Sequence, residues 1–374
     1  MASMLFSKFP KGLALAAAGL LALTLAGCST GGLVQNGKIA GAETPAAEEI
    51  GEGQHVIGMI VADEESSLSD GIANSSYLAG KLAATTLTGA PVTLVIRRYD
   101  RSASAVKKVA AELLAAGAEI IIGPDDAAGA ATLAQLLQGK HIPILSLAQG
   151  ADMGLGVYGA GLAIEDEIAT TMGELQQRGH KTIMIARVGG AASTAYATTL
   201  GTAAAKAGIA ATEVDFTDAA AGLSRLKQLP GAGTGMPDAL VFAISQDRAG
   251  PVISELRGLT DYANMDMVGN ASWSLSLQPL PETTGPIWYP ALANNNLAGF
   301  SQKFAAANNQ RPTLRSAVAY DLVVMAGALP QLIDDAPYSP DVLTNDQGFK
   351  GLTGSFRFDS NGTGLRTYVI NKVK

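Results

Sequence analysis

Residues 55–61 read HVIGMIV, a short run that is apolar at nearly every position instead of alternating between polar and apolar. A strand of that kind has no solvent face. It is at home in a parallel sheet covered by helices on both sides. The pattern returns at PVTLVIRRY (91–99), AEIIIGP (118–124) and IPILSLAQG (142–150). Helical segments are expected between these strands, over 72–86, over 103–116 with a stop at Gly117, and in an Ala- and Leu-rich stretch ending at Gln138. A second series follows a break near Gly159–Gly161. Its expected strands are KTIMIAR (181–187), IAATEVDF (209–216), PDALVFAI (237–244) and MDMVGN (265–270). Its expected helices cover 165–178, 192–207, 223–229 and 250–259. Strands separated by helices of this length predict an α/β fold of two doubly wound parallel-sheet lobes. The tail differs, with a mainly helical stretch at 297–333. At 354–373 a hairpin is expected to turn through Asp359–Gly364, where Asn361-Gly362 supplies positive φ angles.

The chain begins with Lys8, Lys11 and no acid, continues in an apolar run from Leu13 to Leu25, and reaches its single cysteine at position 28. A basic start, a short apolar core and small residues at the cut are the pattern of a secretory signal. Leu25-Ala26-Gly27-Cys28 resembles the lipobox of bacterial lipoproteins, which implies acylation of the Cys28 sulfur. By the same resemblance, Ser29 implies the inner leaflet of the outer membrane of a Gram-negative bacterium. With Cys28 consumed, the mature chain has no thiol left for a disulfide, a nucleophile or a metal. Residues 28–53, dominated by Gly, Ala, Glu and Pro, read as a flexible tether of roughly 30 Å.

Charge and motifs narrow the function. The chain carries 26 Lys and Arg against 33 Asp and Glu, with no basic run longer than two residues, and so offers no patch for a nucleic acid. Gly154, Gly156 and Gly159 spell GxGxxG away from any first strand-to-helix turn. Ser104 and Lys107 match S-x-x-K with no K-T-G partner in the chain. His55, His141 and His180 each stand alone, so no zinc site is expected. No enzyme activity, cofactor or metal is expected. Trp273, Trp288 and Tyr289 fall near the expected edge of the second lobe, where they either stack on a ligand or pack in the core.

Two α/β lobes followed by F…KF…RP…AVAYD and GFKGLTGSFRFDSNG resemble the type I periplasmic binding proteins, the leucine-binding-protein-like superfamily. The pieces IIIGP, HIPILSL, AYDLVV and GLTGSFRFDSNG carry most of that likeness, which covers roughly residues 54–374. The resemblance implies three crossings between lobes. It places 54–159 and about 286–335 in lobe one, and 160–285 and 340–374 in lobe two, after a signal at 1–27 and the tether at 28–53. It also implies a small polar, amino-acid-like solute held in the cleft by lobe closure, for delivery to an ABC permease. The segments YGAGLAIEDEIATTMGELQQRGHKTIMIA, GPIWYPA and FSQKF further resemble penicillin-binding-protein activator lipoproteins. That likeness implies instead contacts with a penicillin-binding protein, and no transported solute. In either case the membrane is met only through the lipid.

Ligand contacts in doubly wound sheets come from the carboxyl ends of strands, where helix N-termini present free amides. The candidates are therefore Ser66 and Ser67, with Glu64, after the first strand, Asp125 and Asp126 after the third, and Ser146 and Gln149 after the fourth. The second lobe contributes Tyr196, Gln246, Asp247 and Asn270. Each Ser, Asp or Asn here is equally suited to capping its own helix. Asp125 and Asp126 stand where relatives often begin a helix with Ser, and would repel a ligand carboxylate. Asn270 stands where an acid is expected.

Overall fold

The computed structural model describes residues 47–63, 72–148, 154–231, 233, 235–279 and 285–373, all within one structural unit. Cys28, Glu64, Ser66, Ser67 and Gln149 lie outside the described residues. Among the described residues, no helix is long and apolar enough to cross a membrane.

The first sheet is ordered β1-β3-β2-β4-β5-β6. It comprises β1 (Ala47–Ile50), β2 (His55–Ala62), β3 (Val92–Tyr99), β4 (Ala118–Ile122), β5 (Ile144–Ser146) and β6 (Val157–Gly159). All pairs are parallel except β1 with β3. Four helices sandwich the sheet: α1 (Ile72–Thr86), α2 (Ala103–Ala115), α3 (Ala127–Leu136) and, from far along the chain, α9 (Leu314–Leu332). β2 shows why its sequence had to be apolar throughout. Ile57, Met59 and Val61 pack with Tyr77 of α1 and Leu322 of α9, while Ile60 and Ala62 pack on the opposite face with Val106 and Leu113 of α2. Alternate side chains enter two different cores, and neither set meets water.

The second sheet is ordered β15-β11-β10-β9-β7-β8. Its strands are β7 (Thr182–Arg187), β8 (Ala210–Asp215), β9 (Ala239–Phe242), β10 (Asp266–Val268), β11 (Ile287–Leu292) and β15 (Tyr368–Lys372). α4 (Ile164–Gln177) and α5 (Ala191–Lys206) cover one face, and α6 (Ala219–Gln228) and α7 (Gln246–Arg257) the other. α8 (Leu297–Asn308) joins a smaller apolar cluster containing Ala79, Leu275 and Phe300. A short α10 (Pro340–Leu343) precedes a three-stranded antiparallel sheet of β12 (Phe349–Gly351), β13 (Gly354–Phe358) and β14 (Gly364–Arg366). Two doubly wound α/β lobes are thus present, and the chain crosses between their sheets after β6, after β11 and after β14.

Three details depart from the expected layout. Ala47–Ile50, read as tether, is a strand paired with β3, where Glu49 meets Arg97 of β3 and Glu48 meets Lys81 of the neighbouring α1. The segment from 286 begins in the second sheet, since β11 completes the parallel register of β10. Phe349, Phe356 and Phe358 belong to the first lobe's core, so only β15 of the 340–374 stretch joins the second sheet. Amphipathic spacing could not reveal these memberships, because any apolar face satisfies it.

Of the hairpin expected over 354–373, β13 and β14 pair and turn at Asn361-Gly362, but only Gly362 takes a positive φ, and Tyr368–Lys372 pairs with β11 instead. Gly362 has φ +79°, accepts the Gly159 N–H of β6 at its carbonyl oxygen at 2.7 Å, and leaves only 2.2 Å between a hypothetical Cβ and the Val157 carbonyl oxygen. Gly362→Ala is therefore expected to cost about 1–3 kcal/mol, from strain at positive φ plus separation of the turn from β6. Urea unfolding of the variant checks this, and an unchanged midpoint would refute it.

Candidate functional site

A cleft of about 770 Å³ opens between the lobes. Loops after β4 and β5 wall it on one side, and the starts of α4 and α7 on the other. Residues 311–315, leading into α9, close one end. These walls are the carboxyl ends of parallel strands and the N-termini of the helices that follow, as doubly wound topology requires.

The predicted residues divide into three groups. Asp125, Asp126, Gln246 and Asp247 line the cleft. Ser146, Tyr196 and Asn270 do not, and the structure gives each a packing role. Ser146 is fully buried, donates to the Pro124 carbonyl at 3.0 Å and accepts the Ala148 N–H at 3.1 Å. Asn270 caps the 3₁₀ turn Ala271–Leu275 by accepting the Ser272 N–H, and donates to the Phe242 and Ile244 carbonyls at 3.0 and 2.8 Å. Its side chain has nothing left for a ligand. Tyr196 is buried in the α4–α5 core, against Glu167 and Thr171. Trp273 and Trp288 are 2% and 0% exposed and pack in the two cores of the second lobe, so neither stacks on a ligand. Glu64, Ser66, Ser67 and Gln149 lie outside the described residues.

The two aspartates after β4 do different things. Asp126 caps α3, accepting the Gly129 N–H at 2.6 Å and the Tyr99 hydroxyl. Burial, with this anion beside it, pushes the Tyr99 phenol far above its ordinary range. Asp125 is 7% exposed at its side chain and receives two guanidiniums, Arg101 at 2.7 Å and Arg315 at 2.8 Å. The helix N-terminus that might have met a ligand anion is already filled by the chain's own carboxylate. On the facing wall, Gln246 donates to the Gln278 carbonyl at 2.6 Å. Asp247 pairs through Oδ2 with Arg311, a contact that ties the α7 start to the segment entering α9 across the cleft. Its Oδ1 is buried and finds no donor among the described residues.

Sequence reasoning missed Glu167, Tyr368, Arg311 and Arg315, all of which line the cleft. Glu167 is 8% exposed. It accepts the Ala271 N–H at 2.8 Å, and burial outweighs that bond to push its carboxyl up to about 7. A signal for it existed. Glu167, Ile168, Thr171, Met172 and Leu175 form the buried stripe of α4, so this acid stands on the apolar face while Glu165 and Asp166 do not. Tyr368, at the start of β15, has a buried hydroxyl without a partner among the described residues. Arg315 enters the cleft because Thr313 caps α9 in a capping box with Ser316 and so sets the pitch of the helix's first turn.

The family model described as periplasmic binding protein matches residues 57–374. No curated protein matches the chain. Three solved structures share its fold. A branched chain amino acid ABC transporter periplasmic ligand-binding protein from Burkholderia xenovorans LB400 has a TM-score of 0.58 at 16% identity, over 85% of this chain and 89% of that one. A solute binding protein of an ABC transporter from Rhodopseudomonas palustris BisB5, in complex with 3,4-dihydroxy benzoic acid, has a TM-score of 0.58 at 14% identity, over 86% and 93%. A branched-chain amino acid transporter substrate binding protein from Streptococcus pneumoniae, in complex with isoleucine, has a TM-score of 0.53 at 16% identity, over 85% and 99%. With two wound lobes, three crossings and a cleft between them, and with the family model spanning nearly all the described residues, the chain belongs to the periplasmic binding protein family.

Proposed function

We propose that this protein is a solute receptor of the cell envelope, which holds a small polar molecule between its lobes for an ABC-type importer and catalyses no reaction. The observation that carries the reading is the cleft itself. At about 770 Å³ it falls within the range of ligand pockets, both lobes line it, and polar groups without partners among the described residues face it beside apolar walls such as Leu147, Leu275 and Leu314. Three backbone crossings joining two rigid sandwiches form a hinge, and closure of the lobes would trap the solute. The signal at 1–27 and a lipid on Cys28 would hold the receptor at the membrane and keep it in the periplasm. Amino acids, aromatic acids and other small solutes are the classes to test, given what the structural neighbours hold.

A thermal-shift screen of the full chain against amino acids, aromatic acids, amines and muropeptides tests the reading. A solute at about 100 times its Kd adds about 2.7 kcal/mol of stability and raises the melting temperature by several degrees. No stabilisation by any solute, together with co-purification of a penicillin-binding protein, would replace the receptor reading with that of a cell-wall synthesis regulator.

A further inference from the structure

Resting on the receptor reading, we infer that the cleft selects a solute that carries an ammonium group and no carboxylate. The cleft's own charges point there. Among the described residues, four carboxylates, Asp125, Asp126, Glu167 and Asp247, line it, while the guanidiniums that meet them number three: Arg101, Arg311 and Arg315. Two of those three are committed to Asp125, and the third to Asp247. The α3 N-terminus, the position with most to offer an anion, is occupied by Asp126. A solute carboxylate would therefore meet guanidiniums whose charge is already paired with the chain's own carboxylates, with two aspartates behind them.

Among the described residues, the buried groups of the wall left without a partner are Asp247 Oδ1 and the Tyr368 hydroxyl, and both can accept a hydrogen bond. Asp247 Oδ1 is buried without a donor among the described residues, and a buried acceptor left unmade costs about 1–3 kcal/mol that a ligand donor would recover. Glu167 sits over nine-tenths buried in the wall, with the Ala271 N–H as its backbone donor. Tyr368 adds a hydroxyl without a partner among the described residues. All three belong to the second lobe, so a bound cation would engage that lobe first. Leu147, Leu162 and Leu314 of the opposite wall and the α9 end suit an aliphatic body. The groups facing Glu167 are the phenols of Tyr196 on α5 and Tyr368 on β15, both raised by burial and neutral across the pH range of the test. Glu167 is thus the titrating group there.

Leucine, isopentylamine (leucine without its carboxyl group) and isocaproate (leucine without its amine) form a matched set of probes, to be joined by cadaverine. Calorimetric titration of the full chain at pH 8 is expected to give Kd values at least tenfold lower for the amines than for leucine or isocaproate. Amine affinity is expected to drop at least fivefold between pH 8 and pH 6, as Glu167 takes up a proton. Glu167→Gln and Asp247→Asn are each expected to weaken amine binding tenfold or more while leaving any isocaproate affinity unchanged or improved. Circular dichroism confirms that each variant is folded. Tighter binding of leucine or isocaproate than of either amine overturns the charge assignment and leaves the receptor reading standing. Equal losses for amine and acid in Glu167→Gln overturn it too, since they mark a purely structural role. Amine binding absent at millimolar concentration, with no solute found in the broad screen, removes both.

Discussion

Replacing Asp321 with alanine is expected to lower the unfolding free energy by about 3–5 kcal/mol, the largest loss foreseen for a single polar side chain here. Asp321 stands on α9, is 4% exposed, and joins that helix to the turn between β12 and β13. Its carboxylate accepts the Leu352 N–H at 2.7 Å, the Thr353 N–H at 2.8 Å and the Thr353 hydroxyl at 2.5 Å. Alanine would leave two buried backbone donors unmade, and each such group costs about 1–3 kcal/mol. It would also remove the negative charge that supports the wholly buried Arg366, whose guanidinium burial pulls down to about 10. Arg366 lies at the third crossing, donates to the Ala160 carbonyl of the first crossing at 2.8 Å and stacks 4.8 Å from the Phe356 ring. Asp321→Asn is expected to be nearly as costly, because one of its two terminal atoms would be an N–H facing donors. Urea unfolding checks both variants. A loss under about 1 kcal/mol for alanine would show that water replaces the carboxylate and that the hinge does not depend on it.

The second large effect is stabilising and depends on pH. Glu167 is raised from 4.5 to about 7, first by burial, against the lowering effects of the Ala271 N–H and Tyr196. A carboxyl with a higher pKa in the folded state binds its proton more tightly when folded, so its contribution is fully present below pH 4.5. That contribution is lost as pH rises through 7, where the folded protein must bury a charge. The difference of about 2.5 units corresponds to roughly 3 kcal/mol. Glu167→Gln cannot ionise, keeps an oxygen for the Ala271 N–H, and should therefore equal the parent near pH 4.5. It should exceed the parent by roughly 3 kcal/mol at pH 8. Paired urea titrations at the two pH values measure this. A stability difference that does not change with pH would mean that Glu167 has the same pKa in the folded and unfolded states. The same substitution is expected to impair amine binding, a cleft residue trading stability against recognition.

The separation between legible and illegible features follows the range of the forces involved. Which segments are strands and helices was written locally. HVIGMIV and AEIIIGP lack a polar face, and Gly117 and Asn361-Gly362 mark a helix end and a hairpin turn that the structure places as expected. The lobes and their doubly wound topology follow from that alternation, because helical crossovers between apolar strands leave few other arrangements. Capping is local as well, and Asp126 and Asn270 illustrate its priority: each gives a side-chain oxygen to a backbone N–H of its own turn. Glu167 was half legible, as an acid out of place on an apolar stripe.

What the chain by itself determined, then, is the set of elements, their alternation into two wound lobes, and the strand ends at which any ligand must be met. Tertiary structure alone decided that β11 and β15 complete the second sheet while β12 to β14 pack on the first, and that Arg101 and Arg315, far apart in sequence, converge on Asp125. It also decided which of Asp125, Asp247 and Glu167 retains a free acceptor. The reason is physical: secondary structure is set by periodicity over a dozen residues, whereas partner choice depends on distances of about 3 Å between segments a hundred or more residues apart, and on the loss of water around them.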